Sequence, residues 1–457
     1  MFNLSVNNFR SFKQQEFDFS KINILIGENS SGKSSIIKFL LLLSKSTSLN
    51  SSCFHFNSDI GKYNDFVFSQ NSKLKISFSI SLGQDYIKFF IENFGKRKEW
   101  KPICDEIKLL DNTNNTIVLK FQFDKNVQST NHVILSIENK FIGKIEIERI
   151  KDTKKDVLLS KQCQMKFTDF EDGKYHEEIF NELGYDQQGF LSYIHSSDLQ
   201  KRIDDKYSKG DHLFYQIAFL LISQNYLEQQ LSLIKYINPL ESTPERIYKE
   251  SENIGVYSVR NISDVVNILT DETVEEKSRL HLLVKLNAAL KSYGILNEIK
   301  PINSGFGAKE LRVQVSEGGI WLNIKDVGYG SALQIPILFQ AILSDMYGGE
   351  TIIIEQPEIH IHPFLQSKFI ETLIEVGKKN SYIIETHSED IIRKLQVMSK
   401  NNSQINHNSV KIFYFKRSEK NGCEISKHEI NEHGKLIPSF PSGFYDSSSS
   451  LVKELMK

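Results

Sequence analysis

The segment that most constrains the fold of this chain is a glycine-rich run at residues 27–34, with the sequence GENSSGKS. It follows a mainly apolar stretch, residues 22–26, and it leads into residues 34–44, which carry apolar side chains at helical spacing. The run matches the pattern GxxxxGK[ST], which forms a tight turn between a buried strand and a helix. The sequence therefore predicts a strand, a phosphate-binding turn and a helix in that order. The alternative is a glycine turn that matches the pattern by chance.

This turn offers two kinds of contact to a phosphate group. Its backbone N–H groups and the N-terminus of the following helix attract an anion. Lys33 is predicted to reach the β- and γ-phosphates of ATP, and the Ser34 hydroxyl is predicted to ligate Mg²⁺. The residues expected to contact ATP are Gly27, Asn29, Ser30, Ser31, Gly32, Lys33, Ser34 and Ser35.

A second apolar stretch, residues 351–354, runs directly into acidic residues. It is followed by Glu355, Gln356 and, after a proline, Glu358. A carboxylate at the carboxyl end of a strand can meet a magnesium ion held by Ser34 at the end of the neighbouring strand. We therefore assign Mg²⁺ to Glu355, the first acid after the strand. A buried strand that ends in a solvated acidic turn is the alternative.

A third apolar stretch, residues 382–384, ends in the polar residues 385–388. A helix predicted near residues 365–377 separates it from the previous strand, which indicates a β-α-β unit. His387 is then placed to sense the γ-phosphate, at the end of a strand beside that of Glu355. A lone histidine is more often structural, and that interpretation stays open.

Glycines also open another predicted helix, at residues 326–332. Gly330 and Ser331 stand in front of an amphipathic run, residues 333–341. Glycine at a helix N-terminus suits a second contact to phosphate. An ordinary turn explains this motif equally well.

Net charge and ligand spacing disfavour a general nucleic-acid-binding protein and a metal site. The 56 Lys and Arg residues are balanced by 57 Asp and Glu residues, a net charge of −1, so attraction to nucleic acid would need a local basic face. The charged run at residues 96–101 is more simply a solvated surface. His360 and His362 lack a third ligand at metal-binding spacing, which disfavours a metal site there.

The cysteines and the apolar runs indicate a cellular compartment. The 4 cysteines are widely spaced without a CxxC pair, which favours a reducing cytoplasm. The longest apolar run, residues 36–43, is interrupted by Lys38 and is too short for a membrane span. Arg10 and Lys13 fall where a signal peptide needs its apolar segment. We therefore expect a soluble cytoplasmic protein.

The middle of the chain differs from its two ends. Residues 213–234 and 278–293 carry helical spacing on either side of a proline-containing loop, and no heptad pattern persists long enough for a coiled-coil arm. We expect residues 1–150 and 301–457 to form two lobes of one split α/β domain. Residues 151–300 are expected to form a mainly helical insertion or lid.

These motifs, in their order along the chain, resemble those of the short SMC/RecF-like AAA ATPases of ABC type. The resemblance rests on residues 8–12, 27–34, 326–332, 355–358, 360–363 and 385–388, with residues 236–240 and 244–246 in the middle of the chain. Residues 431–446 resemble the C-terminal signature of a subgroup common in anti-phage defence islands. Within that subgroup the chain resembles the ATPase subunit of Septu-type defence systems.

The resemblance implies a split ABC/SMC-type P-loop ATPase head with Mg²⁺-ATP as its ligand. Two heads would associate with ATP held between the P-loop of one copy and Gly330 and Ser331 of the other. Arg10 would brace the nucleotide, Gln356 would occupy the position of the general base, and His387 would be the switch histidine.

The sequence departs from that family at two places. Ala332-Leu333 stand where Ser-Gln is usual in the signature loop, which leaves Gly330 and Ser331 as its contacts to ATP. Asn238 and Glu241 stand where Gly and Arg are usual, which puts a lid contact in doubt.

The expected activity is slow ATP hydrolysis, because the amide of Gln356 cannot accept a proton from water and Glu358 is the only nearby carboxylate. By resemblance, the chain would gate an HNH nuclease partner in anti-phage defence and would contact nucleic acid together with that partner. The alternative is a RecF-like repair or recombination ATPase that acts directly on DNA. A nuclease with its own Toprim domain is disfavoured, because too little sequence follows His387.

Overall fold

The computed structural model describes the chain in separate stretches. The described residues are 2–45, 63–71, 73–96, 101, 104, 117–123, 132–139, 143–151, 161–168, 175–182, 222–223, 226–237, 243–249, 259–305, 307–401, 405–418, 422–441 and 454. Asn238, Glu241 and residues 97–100 of the charged run lie outside them. The chain divides into two compact units: the first comprises residues 1–19, 30–233 and 416–424, and the second comprises residues 20–29, 234–415 and 425–457.

Strands occur in both units. In chain order they are β1 (Asn3–Phe9), β2 (Phe12–Asp18), β3 (Ile22–Gly27), β4 (Ile76–Leu82), β5 (Ile117–Phe123), β6 (His132–Asn139), β7 (Gly143–Lys151), β8 (Lys161–Thr168), β9 (Tyr175–Glu182), β10 (Ile234–Ile237), β11 (Tyr248–Lys249), β12 (Glu298–Gly305), β13 (Ala308–Gln314), β14 (Trp321–Asn323), β15 (Thr351–Glu355), β16 (Ser381–Glu385), β17 (Val410–Ser418), β18 (Gly422–Ile430) and β19 (Leu436–Ile437).

The helices with described bounds are α1 (Lys33–Lys45), α2 (Tyr63–Phe66), α3 (Gln84–Phe94), α4 (Ile262–Thr270), α5 (Glu276–Tyr293), α6 (Tyr329–Met346), α7 (Pro363–Val376) and α8 (Glu389–Asn401). Residues 226–232 are also helical. The predicted helices after residue 34, at 278–293 and near 365–377 are confirmed. None of the described helices combines the length and the apolar character that a bilayer span requires.

The first unit is built on an antiparallel sheet with the strand order β2-β1-β4-β5-β6-β7-β8-β9. Helix α1 packs on it through aromatic rings. The ring of Phe39 lies 4.9 Å from that of Phe9 and 5.2 Å from that of Phe78, centroid to centroid. The apolar spacing after residue 34 therefore serves to attach α1 to this sheet.

The second unit is centred on a parallel sheet with the strand order β10-β15-β16-β3-β17. β3 comes from the N-terminal region, yet it pairs with β16 and β17 from the C-terminal region, which confirms the predicted split α/β domain. All residues of β3 are buried. Its polar Asn23 donates hydrogen bonds of 2.7 Å to the Ser20 carbonyl and 3.0 Å to the Tyr382 carbonyl, so the buried amide is satisfied.

The strand order corrects one expectation about this sheet. Glu355 was expected at the end of the strand next to the P-loop strand, but β16 lies between β15 and β3. The sequence shows which strands are parallel, whereas their spatial order depends on where each crossover returns to the sheet. His387 was expected after a strand beside that of Glu355, and this is confirmed because β16 pairs with β15 along its length.

The segment expected to be mainly helical, residues 151–300, is mixed where it is described. It contains strands β8, β9, β10 and β11 as well as helices α4 and α5, and its end at residue 300 falls inside β12. β10 was not predicted. It pairs with β15 because Ile234 and Ile237 are buried there, and Lys235 forms an ion pair of 3.3 Å with Glu350.

Helices α4, α5 and α6 pack against one another and complete the core of the second unit. A small antiparallel sheet, with the order β11-β13-β12 and β14 beside β13, borders them. The core holds the parallel sheet rigidly by burying its apolar strands. The polar side chains at the carboxyl edge of that sheet are therefore attached to the ends of buried strands.

Candidate functional site

The P-loop begins where β3 ends against β17. Gly27 has a φ of +140°, and a Cβ there would overlap the carbonyl oxygen of Phe415 and lie 2.7 Å from its nitrogen. The next residue, Glu28, donates its backbone N–H to the same Phe415 oxygen at 3.0 Å. Position 27 therefore requires glycine for both its conformation and its packing.

The second half of the loop lies in the first unit and has the same requirement at Gly32. Gly32 has a φ of +112°, and a Cβ there would lie 2.5 Å from Ser11 Oγ. Its carbonyl accepts the N–H groups of Ser35 and Ile36, which begins α1. Ser30, at a φ of 58°, adds a left-handed residue that is not glycine, and such strained residues cluster at functional sites. The loop thus has the glycines and the positive φ angles that a phosphate-binding turn uses.

The polar side chains of the loop differ in exposure. Ser31 and Lys33 are buried, whereas Asn29, Ser30 and Ser34 are exposed. Ser35 is half-buried, and its Oγ lies 3.4 Å from that of Ser11. The exposed Ser34 hydroxyl sits in the first turn of α1, where an oxygen ligand suited to Mg²⁺ is expected.

Two carboxylates mark the same edge of the parallel sheet at which β3 ends. Glu355 closes β15 and stands opposite Glu385 of β16 in the register. Glu385 is buried with 4% exposure. The Oε1 atom of Glu355 accepts a hydrogen bond of 2.9 Å from the Tyr236 hydroxyl of β10. The predicted magnesium carboxylate is therefore held in orientation by a tyrosine that sequence reasoning did not assign to the site.

The turn after Glu355 is tied to β16. Gln356 has a positive φ of 45° and donates its N–H to the Glu385 carbonyl at 2.7 Å. Glu358 Oε1 accepts the backbone N–H of His387 at 2.6 Å. Burial raises the pKa of Glu358, and no described residue donates a hydrogen bond to its buried Oε2. The role of Glu358 as a proton acceptor beside the neutral amide of Gln356 stays a prediction.

His387 is exposed and follows the strand that separates β15 from β3. The preceding Thr386 donates its N–H to the Leu25 carbonyl at 3.1 Å, which fixes this segment to the P-loop strand. Ser388 opens α8, since its Oγ accepts the Ile391 N–H at 3.2 Å. His387 therefore lies between the end of β16, which is hydrogen-bonded to β3, and the capped N-terminus of α8.

The glycine motif begins α6 and packs on the turn after Glu355. Gly330 is buried, and a Cβ there would overlap the carbonyl oxygen of His360 and lie 2.8 Å from its carbon. Gln334, one turn later, donates to the Pro357 carbonyl at 2.9 Å. Ser331 is half-buried and Gly328 is exposed. Gly330 thus has a packing function within its own chain that sequence reasoning did not predict.

Arg10 lies in the turn between β1 and β2, at a positive φ of 48°. Its guanidinium carbon lies 4.9 Å from the centroid of the Phe66 ring, a cation–π contact. The next residue, Ser11, is the one that packs against Gly32. The turn that carries Arg10 therefore adjoins the second half of the P-loop, and its contact to nucleotide stays a prediction.

The two histidines after Glu358 have structural contacts. His362 Nδ1 accepts the Phe364 N–H at 3.3 Å and caps α7. His360 is exposed, and its ring meets the Tyr329 ring edge-on at 5.3 Å. Among the described residues no group of three potential metal ligands surrounds them.

Two protein families match parts of this sequence. A family described as "AAA ATPase domain" matches residues 1–392, and a family described as "Protein of unknown function (DUF3696)" matches residues 405–455. No curated protein matches the sequence. The second match contains residues 431–446, which carry the resemblance to a C-terminal signature.

Several solved structures are similar to this chain. One is the SmcHead bound to the C-winged helix domain of ScpA, with 9% identity, coverage of 94% of this chain and 98% of that chain, and a TM-score of 0.45. Another is the Smc head domain with an extended coiled coil, bound to the C-terminal domain of ScpA, derived from Pyrococcus furiosus, with 10% identity, full coverage (100%) of both chains and a TM-score of 0.41. A third is the SMC head domain from Thermotoga maritima, with 11% identity, coverage of 93% and 97%, and a TM-score of 0.39.

Proposed function

This chain belongs to the AAA ATPase domain family, and on that premise we propose that it binds Mg²⁺-ATP at residues 27–35 and hydrolyses it slowly. The observation that carries the proposal is the phosphate loop. Gly27 and Gly32 both have positive φ, and neighbouring atoms occupy the space that a Cβ would need at each position. A glycine-dependent turn in front of a helix N-terminus is the structure that binds a polyphosphate.

Each proposed contact is one that its residue type can make. The Lys33 ammonium would neutralise the β- and γ-phosphates, and the oxygens of Ser34 and Glu355 are ligands that Mg²⁺ accepts. Bound Mg²⁺ would supply charge neutralisation at the phosphates. His387 would contact the γ-phosphate, and Arg10 would brace the nucleotide.

Slow turnover is proposed because the residue directly after Glu355 is an amide. Gln356 can orient a water molecule but cannot accept its proton. Glu358 is the carboxylate available for that task, and its burial raises its pKa. A raised pKa leaves a smaller fraction of this carboxylate ionised at a given pH, which agrees with slow turnover. Its position is fixed by the hydrogen bond from the His387 backbone.

Phosphate release by a matched pair of lysine variants tests the ATP site. Lys33 is buried at the start of α1, whereas Lys38 is exposed on the same helix. We expect Lys33→Ala to lower kcat/KM for ATP roughly 100-fold, which corresponds to about 2.7 kcal/mol of charge-assisted contact. Lys38→Ala should hydrolyse ATP like the wild type. Equal hydrolysis by both variants would refute the assignment.

We further propose that ATP brings two copies together through the loop with Gly330 and Ser331. Ser331 is the more accessible of the two, because Gly330 is buried. Light scattering with and without ATP, on the wild type and on Ser331→Arg, tests this. Nucleotide-dependent assembly that survives Ser331→Arg would count against the proposal.

The proposed biological role is an anti-phage defence ATPase that holds or releases an HNH nuclease partner. Its support is the resemblance of residues 431–446 to the C-terminal signature of defence ATPases, together with slow chemistry suited to a gate. A co-purified HNH nuclease from a neighbouring reading frame should cut DNA differently with ATP and with a non-hydrolysable analogue. Nuclease activity that ignores the nucleotide would contradict the gating role.

The alternative is a RecF-like ATPase that acts on DNA by itself. It predicts ATP-dependent DNA binding by the purified chain, with an affinity that falls steeply as salt rises. The gating role predicts that the chain alone binds DNA weakly, in line with its net charge of −1.

A further inference from the structure

The start of the P-loop is positioned by residues 414–415 of β17. In the parallel register, Tyr414 stands opposite Ile26 and Phe415 stands opposite Gly27. The Phe415 carbonyl accepts the Glu28 N–H at 3.0 Å, and the same backbone fills the space beside Gly27. A displacement of residues 414–415 would therefore displace the first residues of the loop.

Tyr414 also brings a side chain to this part of the parallel sheet. The ring is nearly buried, with 7% exposure. Burial, together with the negative charge of Glu28, raises the pKa of Tyr414.

The ring of Tyr414 packs against the C-terminal part of the chain. The Phe440 ring centroid lies 5.9 Å from that of Tyr414 and 4.7 Å from that of His428. His428 is buried, its Nδ1 lies 2.7 Å from the Pro438 carbonyl and its Nε2 lies 2.8 Å from Ser426 Oγ. Because a carbonyl can only accept, Nδ1 carries a proton and donates it to Pro438. The imidazole is therefore fixed between β18 and residues 436–441.

We propose that residues 436–441 act as a brace for the nucleotide loop, transmitted through the ring cluster of Phe440, His428 and Tyr414 to Gly27 and Glu28. Phe440 and Tyr414 are then positioning residues for phosphate binding, an inference that rests on the proposed ATP site. The brace lies in residues 405–455, which match a family of unknown function outside the AAA match that ends at residue 392. The brace would give residues 436–441 a function in nucleotide binding.

Hydrogen exchange of the nucleotide-free protein tests the brace without any dependence on ATP. Phe440→Ala removes the ring, whereas Ile437→Ala alters an exposed residue (57% exposure) of the same segment and serves as the control. We expect peptides that cover residues 24–32 and 410–416 to exchange at least about threefold faster in Phe440→Ala, because local opening there loses a packing contact. Peptides from β15 should exchange at the wild-type rate in Phe440→Ala. In Ile437→Ala every peptide should exchange at the wild-type rate. Phe440→Tyr, which keeps the ring, should restore the wild-type pattern.

Titration with ATP supplies the second readout. Phe440→Ala should raise the Kd for ATP by about fivefold, a weakening of roughly 1 kcal/mol. Faster exchange throughout the second unit, including β15, would show a general loss of stability and overturn the brace. Wild-type exchange at residues 24–32 in Phe440→Ala would overturn it as well. If the wild type failed to bind ATP while the localised exchange change persisted, the ATP site would be refuted and the brace on the loop would stand.

Discussion

The packing of Gly330 against His360 makes a quantitative prediction about the signature motif. In Gly330→Ala the new Cβ would lie 2.8 Å from the His360 carbonyl carbon, whereas apolar contacts prefer about 3.5–4.0 Å. The obstacle is backbone, so α6 or the turn after Glu355 must move by roughly 0.7 Å or more. Overpacking of this kind costs about 1–3 kcal/mol. Alanine recovers up to about 1 kcal/mol of helix propensity, which leaves a net loss of about 0–2 kcal/mol, centred near 1 kcal/mol.

Thermal unfolding in the absence of nucleotide measures this loss. About 2–4 °C of Tm is lost per kcal/mol in units of this size, so Gly330→Ala should unfold a few degrees below the wild type. Gly328→Ala is the matched control, because a Cβ there meets nothing within 4 Å. Its Tm should match that of the wild type. A wild-type Tm for Gly330→Ala would refute the packing role and leave Gly330 available for a contact to a second copy.

Further predictions concern the turn after Glu355 and the chain as a whole. Gln356→Glu should speed ATP turnover by tenfold or more, about 1.4 kcal/mol; loss of turnover in Glu358→Gln with no effect of Gln356→Ala would instead assign the base to Glu358. Since the folded-state pKa of Glu358 is raised, its ionisation lowers stability as pH rises from the unfolded pKa through the folded one. Glu358→Gln should therefore raise Tm relative to the wild type at neutral pH but not at about pH 3, where Glu358 is protonated in both the folded and the unfolded state. Tyr236→Phe should raise the Mg²⁺ concentration needed for nucleotide binding, because Glu355 loses its orienting hydrogen bond; an unchanged Mg²⁺ titration would contradict this. The purified chain alone should not cleave DNA, and cleavage that survives Lys33→Ala would disprove that expectation.

Local patterns in the sequence were enough to predict the elements that carry the site. Apolar residues at regular spacing, within one continuous stretch of sequence, predict each of these elements. The elements are the strand before Gly27, the helix after Lys33 and the β-α-β unit around α7. The carboxyl-end position of Glu355 follows for the same reason.

Contacts between distant segments could not be predicted in this way. Three features join residues that only the tertiary fold brings together. They are the position of β16 between β15 and β3, the hydrogen bond from Tyr236 to Glu355, and the packing of Gly330 on His360. Tyr236 carries no local signal, because a tyrosine in a short apolar run is most simply a core residue. The brace around Tyr414 joins three strands and was likewise invisible in the pattern.

Calorimetric titration of Mg²⁺-ATP into the nucleotide-free protein tests the central claim most directly. The account predicts one ATP site per chain in the wild type and in Lys38→Ala. In Lys33→Ala the affinity should fall by roughly 100-fold at an unchanged Tm, since a charge-assisted contact to phosphate is lost. Absence of ATP binding by the wild type, or equal affinity in Lys33→Ala, would contradict the claim that residues 27–35 are the phosphate-binding loop.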